Sequence, residues 1–542
     1  MKFPTNTWRP NKAPGLFSFA TLYVGLAACI ALAYDDRRIG QMLWLATPVL
    51  LWLVWPVQNP VCRRVRKVCV FAWTMIFVAD AMTRSYLLQA YEAAPDSALV
   101  LGAAANSNLR EQSEYLTSNW LSISIWFVSL ILCGVGVWLL TSRRVHMDAT
   151  RPRWVIILLS VVLLTSGLAY ASKSWRRLHP AVFWTTWTGT VFELRAGWAD
   201  QQLARDQAMA RAEASLPTLA NSGPSTVVLV ISDSVNRDNM AIYGYGRGTT
   251  PKLIAQKQQV GDQMVVLRNA WSADASTLPA MRNMFGFGAP DIENRQHLLA
   301  LARAAGYKIW WMSNHDDIAV EQQHARFADV VEMLNRKPGR SGASMDGELL
   351  NYLQKALENP TERKLIVVHL LGAHPHYSLR FPPGENPYND DVDAIERKLI
   401  ETGRSIWVRR SRQDYDAAML YHDSVVAQTL QLARTTGRTT EKRSWMYLSD
   451  HGQEVGHSSD RTGHSPSTAS GYRIPAIVWR NDWQAPQIDL AMRPFRSDWM
   501  GWTMMELLGI QWAEQINARN VLNPNYIWQA LVLKPDIKSF SQ

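Results

Sequence analysis

Three short stretches of the sequence carry residues that could bind a metal ion and support group transfer. The first is Ser449-Asp450-His451-Gly452, which follows the apolar run from Ser444 to Leu448. Such a run reads as a buried strand, so Asp450 and His451 stand at its carboxyl end, where an open α/β sheet gathers its ligands. A carboxylate beside an imidazole, with a glycine opening the backbone behind them, makes a pair of zinc ligands. The second stretch is Ile231-Ser232-Asp233-Ser234, at the end of the β-branched run Val227 to Ile231. The third runs from His369 through Gly372 and His374 to His376, after the apolar run that begins at Leu365; His457 and His464 lie a little beyond Asp450. Any one of these histidines alone would read as a core or surface residue. Acids and histidines at three successive strand ends match the donors that zinc requires, and they point to a metal site.

Group transfer at such a site needs an oxygen nucleophile. The stretch Ser272-Ala273-Asp274-Ala275-Ser276-Thr277-Leu278-Pro279 supplies two hydroxyls, Ser276 and Thr277, just ahead of a predicted helix. A hydroxyl at a helix start feels the positive end of the helix dipole, and metal contact lowers its pKa further. Either hydroxyl could equally serve as the helix N-cap, and one residue can do both.

The elements that must position these residues begin at Ser225. Strands are expected at Val227–Ile231, Tyr307–Met312, Leu365–Leu371, Trp445–Leu448 and Ile474–Trp479, with helices at 295–305 and 415–433. Strands alternating with helices imply an α/β sandwich around a mostly parallel sheet. The charged region 385–413 reads as an irregular surface insertion.

The chain before Ser225 is of a different kind. Residues 15–34, about 41–57, about 68–88, about 119–140 and about 154–172 are candidate spanning helices, near the ~20 residues a bilayer requires. Arg63, Arg64, Arg66 and Lys67 follow the second, and Arg143, Arg144, Arg151 and Arg153 the fourth. With Lys2, Arg9 and Lys12 they mark a cytoplasmic side, which leaves everything after residue 173 on the other side. Asp80 and Arg84 near the end of the third run read as an ion pair or as snorkelling side chains. The net charge of +10 follows this topology, and no basic stripe with stacking aromatics suggests a nucleic-acid partner. The segment 173–219 is Trp-rich and then rich in Ala, Arg and Glu, which suggests an interfacial stretch and a linker helix. The 89–118 loop is long enough to cover part of the catalytic domain. All four cysteines lie in or beside the apolar runs, so the soluble part has neither a disulfide nor a thiolate zinc site.

Asp233-Ser234-Val235-Asn236-Arg237, followed by Tyr243-Gly244-Tyr245-Gly246-Arg247-Gly248-Thr249-Thr250-Pro251, resembles the opening signature of the membrane-bound phosphoethanolamine transferases, a sulfatase-like branch of the alkaline phosphatase superfamily. That family shows a Glu or Asp metal ligand and then a Gly-Tyr-x-Arg-x-Thr-x-Pro run at this distance. The stretch Leu370 to Pro375 is similar to its substrate-site histidine stretch, and Ser449 to Gly452 to its metal-binding Asp-His-Gly. His464 falls about where the family has a further histidine, and the five-helix anchor fits as well. The resemblance covers nearly the whole chain. It implies a five-span α-helical membrane domain (1–175), interfacial and linker helices (176–219), and a periplasmic α/β sandwich of the alkaline phosphatase/sulfatase type (220–542).

For the site, the resemblance implies that Asp233, Asp450 and His451 bind one zinc, with the nucleophile completing its sphere. His374 and His464 would contact the phosphoryl group or a second zinc. It implies transfer of phosphoethanolamine from phosphatidylethanolamine to a cell-envelope glycan or lipopolysaccharide, through a covalent enzyme intermediate, at the bacterial inner membrane. Three departures stand out. Asp233 replaces the Glu of lipid A-modifying members, Asn236 replaces a common Arg, and their nucleophilic Thr, five residues before the Pro, corresponds here to Asp274. A more distant relative that decorates cellulose carries its hydroxyl two before the Pro, at Thr277 here. Thr277 is therefore the expected nucleophile, with Ser276 in reserve. The competing expectations are a phosphoglycerol transferase of the lipoteichoic-acid type, a sulfatase-like phosphodiesterase, and a catalytically dead envelope-assembly protein. A sulfatase proper would need a Cys or Ser followed by x-Pro-x-Arg, which the chain lacks.

Overall fold

The structure, a computed structural model, describes residues 14–539 apart from 56, 58, 143–152, 221, 289–294, 337–343, 390–391, 439, 486, 534–536 and 538. The chain forms two compact units, one within residues 1–89, 93–101 and 113–192, the other within 90–92, 102–112 and 193–542.

The first unit is helical: α1 (Pro14–Ala31), α2 (Asp36–Leu51), α3 (Pro60–Tyr91), α4 (Trp120–Ser142) and α5 (Arg153–Leu168) fall on the five predicted runs. Leu22, Leu26, Ile30, Leu45, Phe77 and Val137 pack together inside it. Among the described residues one helix, Trp120–Ser142, is long and apolar enough to cross a membrane, while Phe17–Ala31 and Ile156–Ala171 are apolar but shorter. By length and composition, one of the five expected spans reaches full spanning length among the described residues. The other runs are interrupted: α2 contains Pro48, and α3 opens with Arg63, Arg64, Arg66 and Lys67 and later carries Asp80 and Arg84. Asp80 and Arg84 form a buried ion pair at 2.9 Å rather than snorkelling. The Trp184 indole N–H and the Tyr34 hydroxyl also donate to the Asp80 carboxylate. Lys2, Arg9 and Lys12, and Arg143, Arg144 and Arg151, lie outside the described residues. The predicted interfacial and linker segment contains α6 (Pro180–Ala199) and α7 (Gln202–Ala214).

The second unit is built on seven strands: β1 (Ser225–Ser232), β2 (Met264–Val266), β3 (Lys308–Ser313), β4 (Val330–Met333), β5 (Arg363–Leu370), β6 (Lys442–Ser449) and β7 (Ala476–Arg480). Their order is β2-β7-β6-β1-β5-β3-β4, and β7 runs antiparallel to both of its neighbours. Helices α8 (Thr277–Phe285), α9 (Leu298–Ala304), α10 (Leu349–Glu358), α11 (Ile406–Thr435) and α12 (Met500–Leu508) cover the sheet. Successive strand residues point to opposite faces. Val227, Leu229 and Ile231 of β1 therefore join Met281, Leu301 and Met504 from α8, α9 and α12. Val228 and Val230 join Leu353 of α10 with Met419 and Leu430 of α11 on the other face. Both faces are covered, as a largely parallel sheet requires. This is the predicted α/β sandwich.

The region 385–413 departs from its reading as irregular. It contains the helix Ala394–Glu401 and the first turns of α11, where Val408, Arg412 and Gln413 are buried. The polar residues in that buried face break the apolar period that would have announced a helix.

Candidate metal centre and active site

Strand register sets the site. Ser232 at the end of β1 pairs with Ser449 of β6 on one side and Leu370 of β5 on the other. The residues that follow, Asp233, Asp450 and Leu371, must then emerge side by side. Stitching across the gap holds them: the Asp450 N–H donates to the Ser232 carbonyl at 3.0 Å, and the Val235 N–H donates to Ser449 Oγ at 3.0 Å. Ser234 is forced to φ +61°, a left-handed conformation uncommon for a non-glycine residue, at the bend behind Asp233. Gly452 is required by close approach, because a Cβ there would lie 2.2 Å from the Ser470 carbonyl oxygen.

Asp233, Asp450 and His451 are buried, and they bring one ligand atom each within 4.8 Å of one another. The His451 Nδ1–H donates to the Gly452 carbonyl at 2.7 Å. That bond leaves the lone pair on Nε2, which faces Asp450 Oδ2 at 3.6 Å and Asp233 Oδ1 at 3.8 Å. Asp450 Oδ1 accepts the N–H groups of Ser234 and His451, at 3.2 and 2.6 Å, whereas Oδ2 is buried without a partner. A buried carboxylate oxygen with no donor beside an imidazole lone pair is a donor set that fits a cation. Donors about 2.0–2.1 Å from a tetrahedral zinc stand about 3.4 Å apart, which suits these separations. The electrostatics agree. Burial pushes Asp450 up to about 7, aided by the neighbouring Asp233 charge. Burial opposes the ionisation of Asp233 as well, but His374, His451 and His315 hold it well below the usual carboxylate range. Two adjacent buried carboxylates resist ionising together, and a cation between them would relieve that cost.

Thr277 opens α8, and its hydroxyl donates to Asp233 Oδ2 at 2.9 Å, with His451 Nε2 at 3.4 Å. Ser276, the residue before the helix, donates instead to Asp274 Oδ1 at 3.0 Å. Of the two candidate hydroxyls, only Thr277 is bonded into the acid and histidine cluster.

The His464 ring lies 4.6 Å from that of His451, edge to face. Burial, and then the neighbouring His451, lower its pKa to about 3. Burial also lowers His374 well below the usual imidazole value. Nδ1 is a buried atom without a partner in both rings. His457 is elsewhere: it bonds Asn239 Oδ1 at 2.8 Å and packs against the Arg412 guanidinium, a structural contact. Sequence reasoning missed His315, whose ring stacks on His369 with centroids 4.0 Å apart. Its Nε2–H donates to the Leu370 carbonyl. Although burial opposes the charged form, Asp317 and Asp233 push its pKa up to about 10. Glu111, from the 102–112 segment of this unit, was missed too. Burial and Asp317 push it up to about 8. The only signal for His315 was its place after the predicted strand 307–312; Glu111 lay in the loop expected to cover the domain.

Comparison with known proteins places the chain. The family model described as Sulfatase matches residues 225–510, from the first residue of β1 past the end of the sheet. Phosphoethanolamine transferase EptC of Escherichia coli K12 is 27% identical over 512 residues, covering 88% of this chain and 85% of that protein. The crystal structure of the C-terminal periplasmic domain of EptC from Escherichia coli, in complex with Zn, is 27% identical; it covers 58% of this chain and 90% of its own, with a TM-score of 0.52. The integral membrane lipooligosaccharide phosphoethanolamine transferase A of Neisseria meningitidis, 18% identical, shares the fold over 94% of this chain and 96% of its own, with a TM-score of 0.59. The match spans more than half of the chain and takes in every strand and every cluster residue described above, so the chain belongs to the sulfatase family, within its phosphoethanolamine transferases.

Proposed function

We propose that this protein transfers phosphoethanolamine from phosphatidylethanolamine to a cell-envelope glycan or lipopolysaccharide, through a phosphoethanolamine ester on Thr277. The observation that carries the reading is the Thr277 hydroxyl, bonded to Asp233 beside His451 Nε2 and the open Oδ2 of Asp450. Asp233, Thr277, Asp450 and His451 would hold one zinc, and His374 and His464 would face the phosphoryl group or a second zinc. Zinc bound there would polarise the phosphoryl oxygens and lower the pKa of the Thr277 hydroxyl. Asp233 orients that hydroxyl by accepting its hydrogen bond, and the proton lost as Oγ1 attacks phosphorus ends on the departing diacylglycerol oxygen. The new Thr277 O–P bond forms as the bond to diacylglycerol breaks. In the second half an acceptor hydroxyl attacks the same phosphorus and frees Thr277. His374 and His464 are neutral at neutral pH, so each can accept the acceptor's proton as a base.

A lipid donor gives the helical unit its purpose, and we assign residues 1–175 to a five-span inner-membrane domain, 176–219 to interfacial and linker helices, and 220–542 to a periplasmic catalytic domain. The zinc-bound and lipooligosaccharide-modifying relatives support this assignment by analogy. The test is the intact mass of the full chain in detergent after incubation with phosphatidylethanolamine and zinc. A gain of one phosphoethanolamine group is expected, lost in Thr277→Ala and kept in Ser276→Ala. An adduct from phosphatidylglycerol alone would replace the reading by a phosphoglycerol transferase. No adduct from either lipid would overturn it.

A further inference from the structure

The turn that carries His374 leaves β5 with two backbone donors that no strand accepts, the N–H groups of Leu371 and Gly372. Both go to one buried carboxylate, that of Asp346. Its Oδ1 accepts the Leu371 N–H at 2.9 Å and the Asn314 side-chain amide at 2.8 Å, and its Oδ2 accepts the Gly372 N–H at 2.9 Å. On its other side the same turn is tied to the metal cluster. The Ala373 N–H donates to the Asp233 carbonyl at 3.0 Å, and the His374 N–H closes the turn on the Leu371 carbonyl at 3.0 Å. Gly372 sits at φ +57° with its Cα pressed on Asp233, where a Cβ would stand 2.7 Å from the carbonyl oxygen.

We propose that Asp346 is a positioning residue that clamps the Leu371–His374 turn against Asp233 and so fixes His374 relative to Thr277. The inference rests on the proposed function of that same site. A carboxylate suits the task because each of its oxygens faces an N–H, and bonds to a charged acceptor are about twice as strong as neutral ones. An amide would keep one acceptor and set its NH2 against the other donor. The Asp346 carboxylate bonds the Asn314 amide and the Leu371 and Gly372 N–H groups, none of them a proposed metal ligand, so it acts through the turn.

The test is a double-mutant cycle on the full chain in detergent, reading the rate of phosphoethanolamine transfer, the KM for the lipid donor and the zinc content. Asp346→Asn is expected to lower kcat at least tenfold, with KM changed less than twofold and zinc retained. In a His374→Ala background the same substitution should change the rate less than twofold, because the residue it positions is gone. Asn314→Ala removes one donor to the Asp346 carboxylate and leaves the carboxylate in place. It should lower kcat two- to fivefold, and this effect too should vanish in the His374→Ala background, which keeps the question answerable if Asp346→Asn does not fold. An active wild type with Asp346→Asn within twofold of it, or losses that multiply in the His374→Ala background, would overturn the positioning role. A wild type that transfers nothing would instead overturn the proposed function.

Discussion

Asp450→Asn should remove the metal and yet make the metal-free protein more stable. Without a cation, Asp450 is a buried carboxylate beside a second one, and its pKa is raised from 3.8 to about 7. The unfolded chain gives up this proton at the lower pH, so unfolding releases a proton between about pH 4 and 7. Stability of the metal-free wild type must fall as pH rises through that window. At about 1.4 kcal/mol per pH unit, the whole interval is worth at most about 4 kcal/mol. Asparagine has the shape of the protonated acid, and it keeps the acceptor for the Ser234 and His451 N–H groups. Its amide can also donate towards His451 Nε2, the direction in which Asp450 Oδ2 has no partner. In EDTA, the thermal midpoint of Asp450→Asn should therefore exceed that of wild type at pH 8, and the gap should close towards pH 4. With zinc added the order should reverse, because binding to the folded state stabilises only a protein that still has the site. The measurement is thermal unfolding of the full chain in detergent, with EDTA or zinc, across pH 4 to 8. A metal-free variant less stable than wild type at pH 8, or a difference independent of pH, would refute the reasoning.

Other outcomes follow from distances and charges already given. Gly452→Ala should destabilise the catalytic unit by more than about 2 kcal/mol, since its Cβ would meet two backbone carbonyls, at 2.2 and 2.7 Å, that no side-chain rotation can clear; thermal unfolding reads it. His464 stays neutral down to about pH 3 and His374 is likewise lowered, so transfer from a preformed Thr277 adduct to the acceptor should hold its rate from pH 7 to pH 5. A fall with a midpoint near 6.5 in single-turnover kinetics would show that an imidazole of ordinary pKa is the base. Thr277→Ser should keep adduct formation that Thr277→Ala loses, as a serine hydroxyl at the helix start can still reach Asp233; intact mass distinguishes the two.

The parts of this molecule that were legible in the sequence are those written in contiguous letters. Each strand that carries chemistry is an apolar run ending in its acid or histidine, and the parallel sheet turned those run-ends into neighbours. Asp346, Asn314 and Glu111 announced nothing, because their meaning lies in backbone N–H groups and charges supplied by distant segments. The 385–413 region misled for a related reason. Arg412 spends its charge inside the fold, on the Val455 carbonyl, so the helix around it looks like a solvent-facing loop when only hydrophobicity is counted. In the helical unit the buried pair Asp80 and Arg84 likewise lowers the apolarity of α3 without breaking the helix.

Cys29, Cys62, Cys69 and Cys133 all precede the catalytic unit's sheet, and all four are free thiols. No disulfide therefore holds the site, and no step of its assembly waits on an oxidant. Maturation of the enzyme is thereby uncoupled from thiol-oxidising machinery, and strong reductants should leave its activity intact. A cysteine placed at a chosen point near Thr277 would also be the single thiol of its unit, which opens the catalytic cycle to site-specific probes once the exposed Cys62 and Cys69 are replaced.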